Sequence, residues 1–167
     1  MYAILIQIHS VLRWAVLLTA VLAVASAWMG ASGGRPYKKG LSVSFVVSVH
    51  VQLLIGLVLY AVSPLREAAF ADFGAAMKAA PLRFVAVEHI LMMLIAAVVA
   101  TIGSARARRA ASDIDKNKKA ALFFTIALVI MLVAIPWPFR GNGVGRPLLP
   151  GMTSEIPATV APAPPAG

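Results

Sequence analysis

The chain contains no cysteine, and that absence removes a whole set of chemistries. Disulfides, iron–sulfur clusters, thiolate zinc sites and the C-x-x-C-H attachment of c-type haem all depend on it. A redox cofactor, if there is one, must be held without a thioether, through His, Met or carboxylate groups. Charge is also scarce. Of the 167 residues 13% are charged and 60% hydrophobic, whereas soluble domains carry about 25% and roughly 45–50%. The mean hydropathy is +0.87, and the apolar residues come in unbroken blocks rather than on one face of each helix. That pattern excludes an ordinary water-soluble core. No P-loop, dinucleotide fingerprint or hydrolase constellation is present either.

What the sequence does have is four apolar stretches near the length that a bilayer requires, about 20 helical residues for a core about 30 Å thick. They cover about 3–29, 41–62, 82–103 and 119–135. The first ends at Gly30-Ala31-Ser32-Gly33-Gly34 and the second at Ser63-Pro64. The last is short, gains a turn at its Lys118-Lys119 end, and stops at Pro136-Trp137-Pro138, where proline cannot continue a helix. The first lacks a basic flank and a small-residue cleavage site, so it reads as a retained span rather than a signal peptide. The expected fold is all-α: an integral membrane, up-and-down four-helix bundle over residues 1–140, followed by a Gly/Pro-rich tail over 141–167. The segment Gly141 to Pro147 is placed to pack on the bundle.

The net charge of +9 would suggest nucleic acid in a soluble protein, but here the basic residues lie between the apolar blocks and report topology. No nucleic-acid motif accompanies them, so the expected partners are the lipid bilayer and other membrane subunits. Arg35, Lys38 and Lys39 with Arg106, Arg108, Arg109, Lys116, Lys118 and Lys119 give nine on one side; Arg66, Lys78, Arg83, Arg140 and Arg146 give five on the other. The positive-inside rule then places both termini on the non-cytoplasmic side. Between spans two and three, residues 65–80 set Phe70, Phe73 and Met77 at helical spacing among Arg66, Glu67, Asp72 and Lys78. A short interfacial helix fits that pattern; a loop with scattered apolar residues is the alternative.

Ionisable groups inside a span are costly and call for a partner or a function. The three histidines of the chain, His9, His50 and His89, fall one to each of the first three spans. Arg13 follows His9 by one turn, Gln52 follows His50, and Glu88 adjoins His89. At 1.5 Å per residue, His9 and His89 both sit roughly 9 Å below the outer boundary and His50 roughly 18 Å. Spans one and three are diagonal in an up-and-down bundle, roughly 13 Å apart. That gap suits a flat macrocycle with an imidazole on each side of its iron, a b-type haem, with His9 and His89 as the axial pair. His50 is then a replacement ligand, a second-site ligand or a hydrogen-bond partner to a quinone. An Arg13–Glu88 pair would neutralise two expensive charges, and Arg83, Arg140 and Arg146 are placed to hold haem propionates.

Two other readings of the same residues stay open. The His, Gln, Arg and Glu groups can serve only helix packing in a cofactor-free structural or assembly subunit. Three imidazoles also suit copper or zinc, although the depth of His50 counts against it. Met92 and Met93 read as packing residues; Trp14 and Trp28 read as interfacial anchors or haem-packing rings, and Trp137 as an anchor.

The stretches His9-Ser10-Val11-Leu12-Arg13-Trp14, His50-Val51-Gln52-Leu53-Leu54-Ile55-Gly56 and Arg83-Phe84-Val85-Ala86-Val87-Glu88-His89 resemble those of small bacterial membrane proteins labelled cytochrome b-like. The Pro-Trp-Pro-Phe-Arg run and Gly145-Arg146-Pro147 fit the same resemblance, which extends to about Pro150. It implies haem b, electron transfer and a bacterial inner membrane. Well-studied membrane b-type cytochromes usually supply four His for two haems; three here leave a second bis-His haem without a full ligand set. The function expected is that of a non-catalytic electron carrier, or a haem-bearing subunit of a respiratory or photosynthetic complex. It would work between the quinone pool and an acceptor on the outer side.

Overall fold

The computed structural model of the chain describes residues 1–141 and 143–149. Most of the 141–167 tail lies outside the described residues. The described residues hold helices and turns but no strand: α1 (Tyr2–Gly33), α2 (Lys39–Ala61), α3 (Pro64–Ala71), α4 (Phe73–Lys78), α5 (Ala80–Arg83), a π turn (Phe84–Glu88), α6 (His89–Arg108) and α7 (Asp113–Ala134). The α5–π–α6 stretch is one continuous helix, Ala80–Arg108. With α1, α2 and α7 it makes four helices long and apolar enough to cross a membrane. The chain is a multi-pass helical membrane protein.

The helices run past the apolar blocks because local signals end them. α1 stops at Gly34, whose φ of 64° lies in the left-handed region that glycine enters without a Cβ penalty. α7 begins at Asp113 rather than near Lys119. Ser112 caps it, its hydroxyl accepting from the Asp115 amide at 3.1 Å and donating to the Asp115 carboxylate at 2.7 Å, so a polar first turn precedes the apolar block. The 65–80 region is helical but in two pieces. Asp72 breaks it and caps α4, with Oδ1 accepting from Ala75 N at 2.9 Å. Phe70 and Phe73 are exposed, while Met77 packs on Ala69, Ala76 and Ala86.

Neighbouring contacts run α1–α2, α2–α6, α6–α7 and α7–α1, which leaves α1 diagonal to α6 and α2 diagonal to α7. Without a hydrophobic drive between helices in lipid, close packing of small residues carries association. The seam here is Ala20, Ala23 and Ala27 of α1, Ala96, Ala97 and Ala100 of α6, and Ala120, Ala121 and Ala127 of α7. At the end away from the termini, Phe45 and Phe124 meet edge-to-face at 5.1 Å across the α2–α7 diagonal. Hydroxyl and amide bonds add register: Thr19 with Ser48 at 2.8 Å, Ser42 with Ser104 at 3.1 Å, and Asn117 donating to the Arg35 carbonyl at 2.9 Å. The first two join helix to helix, and such a bond contributes on average about 0.6 kcal/mol in a bilayer; the third ties α7 to the α1–α2 loop.

Candidate functional site

The other diagonal, α1 to α6, is bridged by imidazoles. The rings of His9 and His89 lie with centroids 6.4 Å apart at an interplanar angle of 71°. An imidazole nitrogen binds a first-row metal at about 2.0–2.1 Å, as it does zinc. Two imidazoles holding one ion between them would therefore have centroids about 6 Å apart, a separation that an edge-to-face ring contact also has. The pair sits at that spacing, at the end of the bundle that carries the described termini.

Each ring is held by its surroundings. The Nδ1–H of His89 donates to the Ala134 carbonyl at 2.8 Å, the last residue of α7, whose carbonyl is free because Pro138, four residues on, supplies no amide to pair with it. That bond assigns the proton to Nδ1 and leaves Nε2 as the lone-pair nitrogen, the outer-shell arrangement found for metal-bound histidines. Phe84 packs against the His89 ring at 5.5 Å, and the Arg140 guanidinium lies 5.0 Å over Phe84. His9 is supported from α2. Gln52 Nε2 donates to the His9 carbonyl at 2.9 Å, and one turn later Gly56 faces the His9 ring so closely that an added Cβ would stand 3.2 Å from its Cε1. His9 Nδ1 and Gln52 Oε1 are buried without a hydrogen-bond partner.

The π turn sets the aim of His89. Such turns insert one residue into an α-helix and recur at functional sites. Here the His89 amide bonds back to the Phe84 carbonyl, and the Tyr60 hydroxyl of α2 donates to the Ala86 carbonyl at 2.9 Å. Arg83 and Glu88, five residues apart and so aligned by the π spacing, pair at 2.6 Å with both side chains about 40% exposed. Solvent screening makes such a pair a weak contributor to stability.

The remaining residues read from the sequence are distributed differently from the expectation. Glu88 pairs with Arg83, not with Arg13. Arg13 instead donates through Nη2 to the Leu148 carbonyl at 2.6 Å and the Pro147 carbonyl at 3.5 Å, because the segment after α7 folds back onto α1. The indole of Trp14 donates to the same Leu148 carbonyl at 3.0 Å, and Trp14 stands edge-on to Trp137 at 6.3 Å. Gly145 permits this return: a Cβ there would come within 3.0 Å of the Trp137, Pro138 and Arg140 carbonyls. Arg140 donates to the Val133 carbonyl at 2.9 Å, Arg83 to the Met77 carbonyl at 2.9 Å, and Arg146 to its own loop at Gly143 and Gly145.

His50 stands apart. It is exposed on α2, its Nδ1 bonded to the Val46 carbonyl at 2.8 Å and its Nε2 3.4 Å from the Thr101 hydroxyl. Two residues on a helix are about 200° apart in rotation, so with Gln52 turned to His9, His50 faces away. No cluster of three or more metal-ligating side chains occurs among the described residues, and the three-imidazole copper or zinc site is not assembled. The second-span motif thus serves His9 through Gln52 and Gly56.

A direct consequence concerns Gly56. Gly56→Val is expected to push the His9 ring out of line and to lower ligand occupancy severalfold while the four helices persist. Absorbance per chain and circular dichroism of the purified variant check the two halves of that expectation.

No protein-family model matches the chain, and no curated protein and no solved structure matches it.

Proposed function

We propose that the chain is a b-type cytochrome, or the haem-bearing subunit of a membrane redox complex, with His9 and His89 as the axial ligands of one haem. The observation that carries this reading is the convergence of two imidazoles from diagonal helices at the spacing of a shared metal ion, one of them with its Nδ1 already engaged. The buried, unpartnered His9 Nδ1 and Gln52 Oε1 fit a site made to receive another group, since buried polar atoms are rarely left unpaired. Bound haem supplies reversible one-electron chemistry at its iron. The chain's part is to fix both rings, to cover His89 with Phe84, and to set the local dielectric.

With both termini outside the cytoplasm, as the basic loops indicate, the pair lies in the outer half of a bacterial inner membrane. Electrons would then pass between the quinone pool and an acceptor on the outer side. Partner subunits of the complex would supply the docking surface for that exchange.

A cofactor-free subunit is the rival reading, because the His89–Ala134 bond also ties α6 to α7 without any ligand. The reduced-minus-oxidised absorbance spectrum separates the two. A cytochrome gives a sharp α-band with close to one haem per chain; a spectrum without it, from protein purified in the presence of haem, rejects the proposal.

A further inference from the structure

Arg13 is the one buried charged side chain among the described residues, at 9% exposure. The ion pairs found there are Arg83–Glu88 and Lys116–Asp113, so no described carboxylate answers Arg13. Its Nη2 rests on the carbonyls of Leu148 and Pro147, its guanidinium lies 5.3 Å over the Trp14 ring, and its Nε has no partner. A buried guanidinium answered only by carbonyl dipoles is expensive.

Its position says what would answer it. Arg13 follows His9 by four residues, on the same face of α1, and long helical side chains lean back toward the N-terminus. The guanidinium is thereby directed toward the level of the His9–His89 pair. What sets Arg13 apart from the other arginines at this end is burial: Arg66, Arg83, Arg140 and Arg146 are only half-buried, and they bond to the Ala61 carbonyl, to Glu88, to the Val133 carbonyl and to their own loop respectively. We infer that Arg13 is the carboxylate subsite of the ligand held by His9 and His89, and that a carboxylate there takes the place of the Leu148 carbonyl. The inference rests on the haem reading. It moves propionate recognition from Arg83, Arg140 and Arg146 to a residue on the same helix as one axial ligand, and makes the Leu148 segment an exchangeable strap.

The test compares two pigments on the haem-free full-length chain in nanodiscs: protohaem, with two carboxylates, and its uncharged dimethyl ester. A charge-assisted bidentate contact predicts that the wild-type chain binds protohaem about tenfold more tightly, and that Arg13→Gln binds both alike. Arg13→Lys, which keeps the charge but loses the planar fork, is expected to keep a smaller preference and serves if the Gln variant does not fold. Equal binding of both pigments by the wild-type chain overturns the subsite while leaving the haem reading intact. A preference undiminished in the Arg13 variants overturns the assignment to this residue. Failure of both pigments to bind overturns the haem reading and this inference with it.

Discussion

His89→Ala is expected to abolish haem binding, His9→Ala to do the same, and His50→Ala to leave haem content at the wild-type level. The three variants remove the same chemical group, so the contrast isolates placement. His9 and His89 converge across the α1–α6 diagonal, whereas His50 faces away from them, bonded to Val46 of its own helix and 3.4 Å from Thr101 of α6. Losing an outer-shell partner of a metal-bound histidine typically costs 10–100-fold in affinity, and losing the ligand itself costs more. Absorbance at matched protein concentration, with circular dichroism to confirm retained helices, decides it. Full haem content in both His9→Ala and His89→Ala would show that other groups hold the iron.

The second large effect concerns packing. At Gly103 a Cβ would collide with the Cβ of Phe123 and press on its Cγ, so α6 and α7 approach closely there. Gly103→Leu is expected to force the helices apart and to destabilise the bundle by about 3 kcal/mol, the upper range for overpacking. That separation also carries the Ala134 carbonyl away from His89. Unfolding in mixed detergent micelles measures the loss, and a variant as stable as the parent would mean that the α6–α7 seam is looser than described. Gly33, around which a Cβ would meet nothing within 4 Å, supplies the matched control: Gly33→Ala should change stability little.

Much of the fold is legible in the sequence because membrane physics is restrictive. Four long apolar blocks leave little choice but four spanning helices, and the level shared by His9 and His89 follows from counting residues at 1.5 Å each. Counting gives depth but not rotation. A π turn has no reliable sequence signal, yet the one before His89 rotates that ring and aligns Arg83 with Glu88. The same limit hid the facing of α2: Gln52 and Gly56 were visible as residues, but which side of the helix met His9 was not. The Arg13–Glu88 pairing failed for a related reason. Matching depths suggested it, while the chain after α7 returns over Gly145 and brings the Leu148 carbonyl to Arg13 instead. Ser112 and Asp115 are a readable helix start, and the apolar block simply outweighed them in the placing of the fourth span.

The account turns on two imidazoles sharing one iron, and the electron paramagnetic resonance spectrum of the oxidised, purified chain tests that most directly. It predicts a low-spin ferric signal of two axial imidazoles, near one spin per chain and absent from both the His9→Ala and His89→Ala variants. A haem-loaded chain showing only high-spin, five-coordinate iron, or a low-spin signal that survives both substitutions, would contradict it.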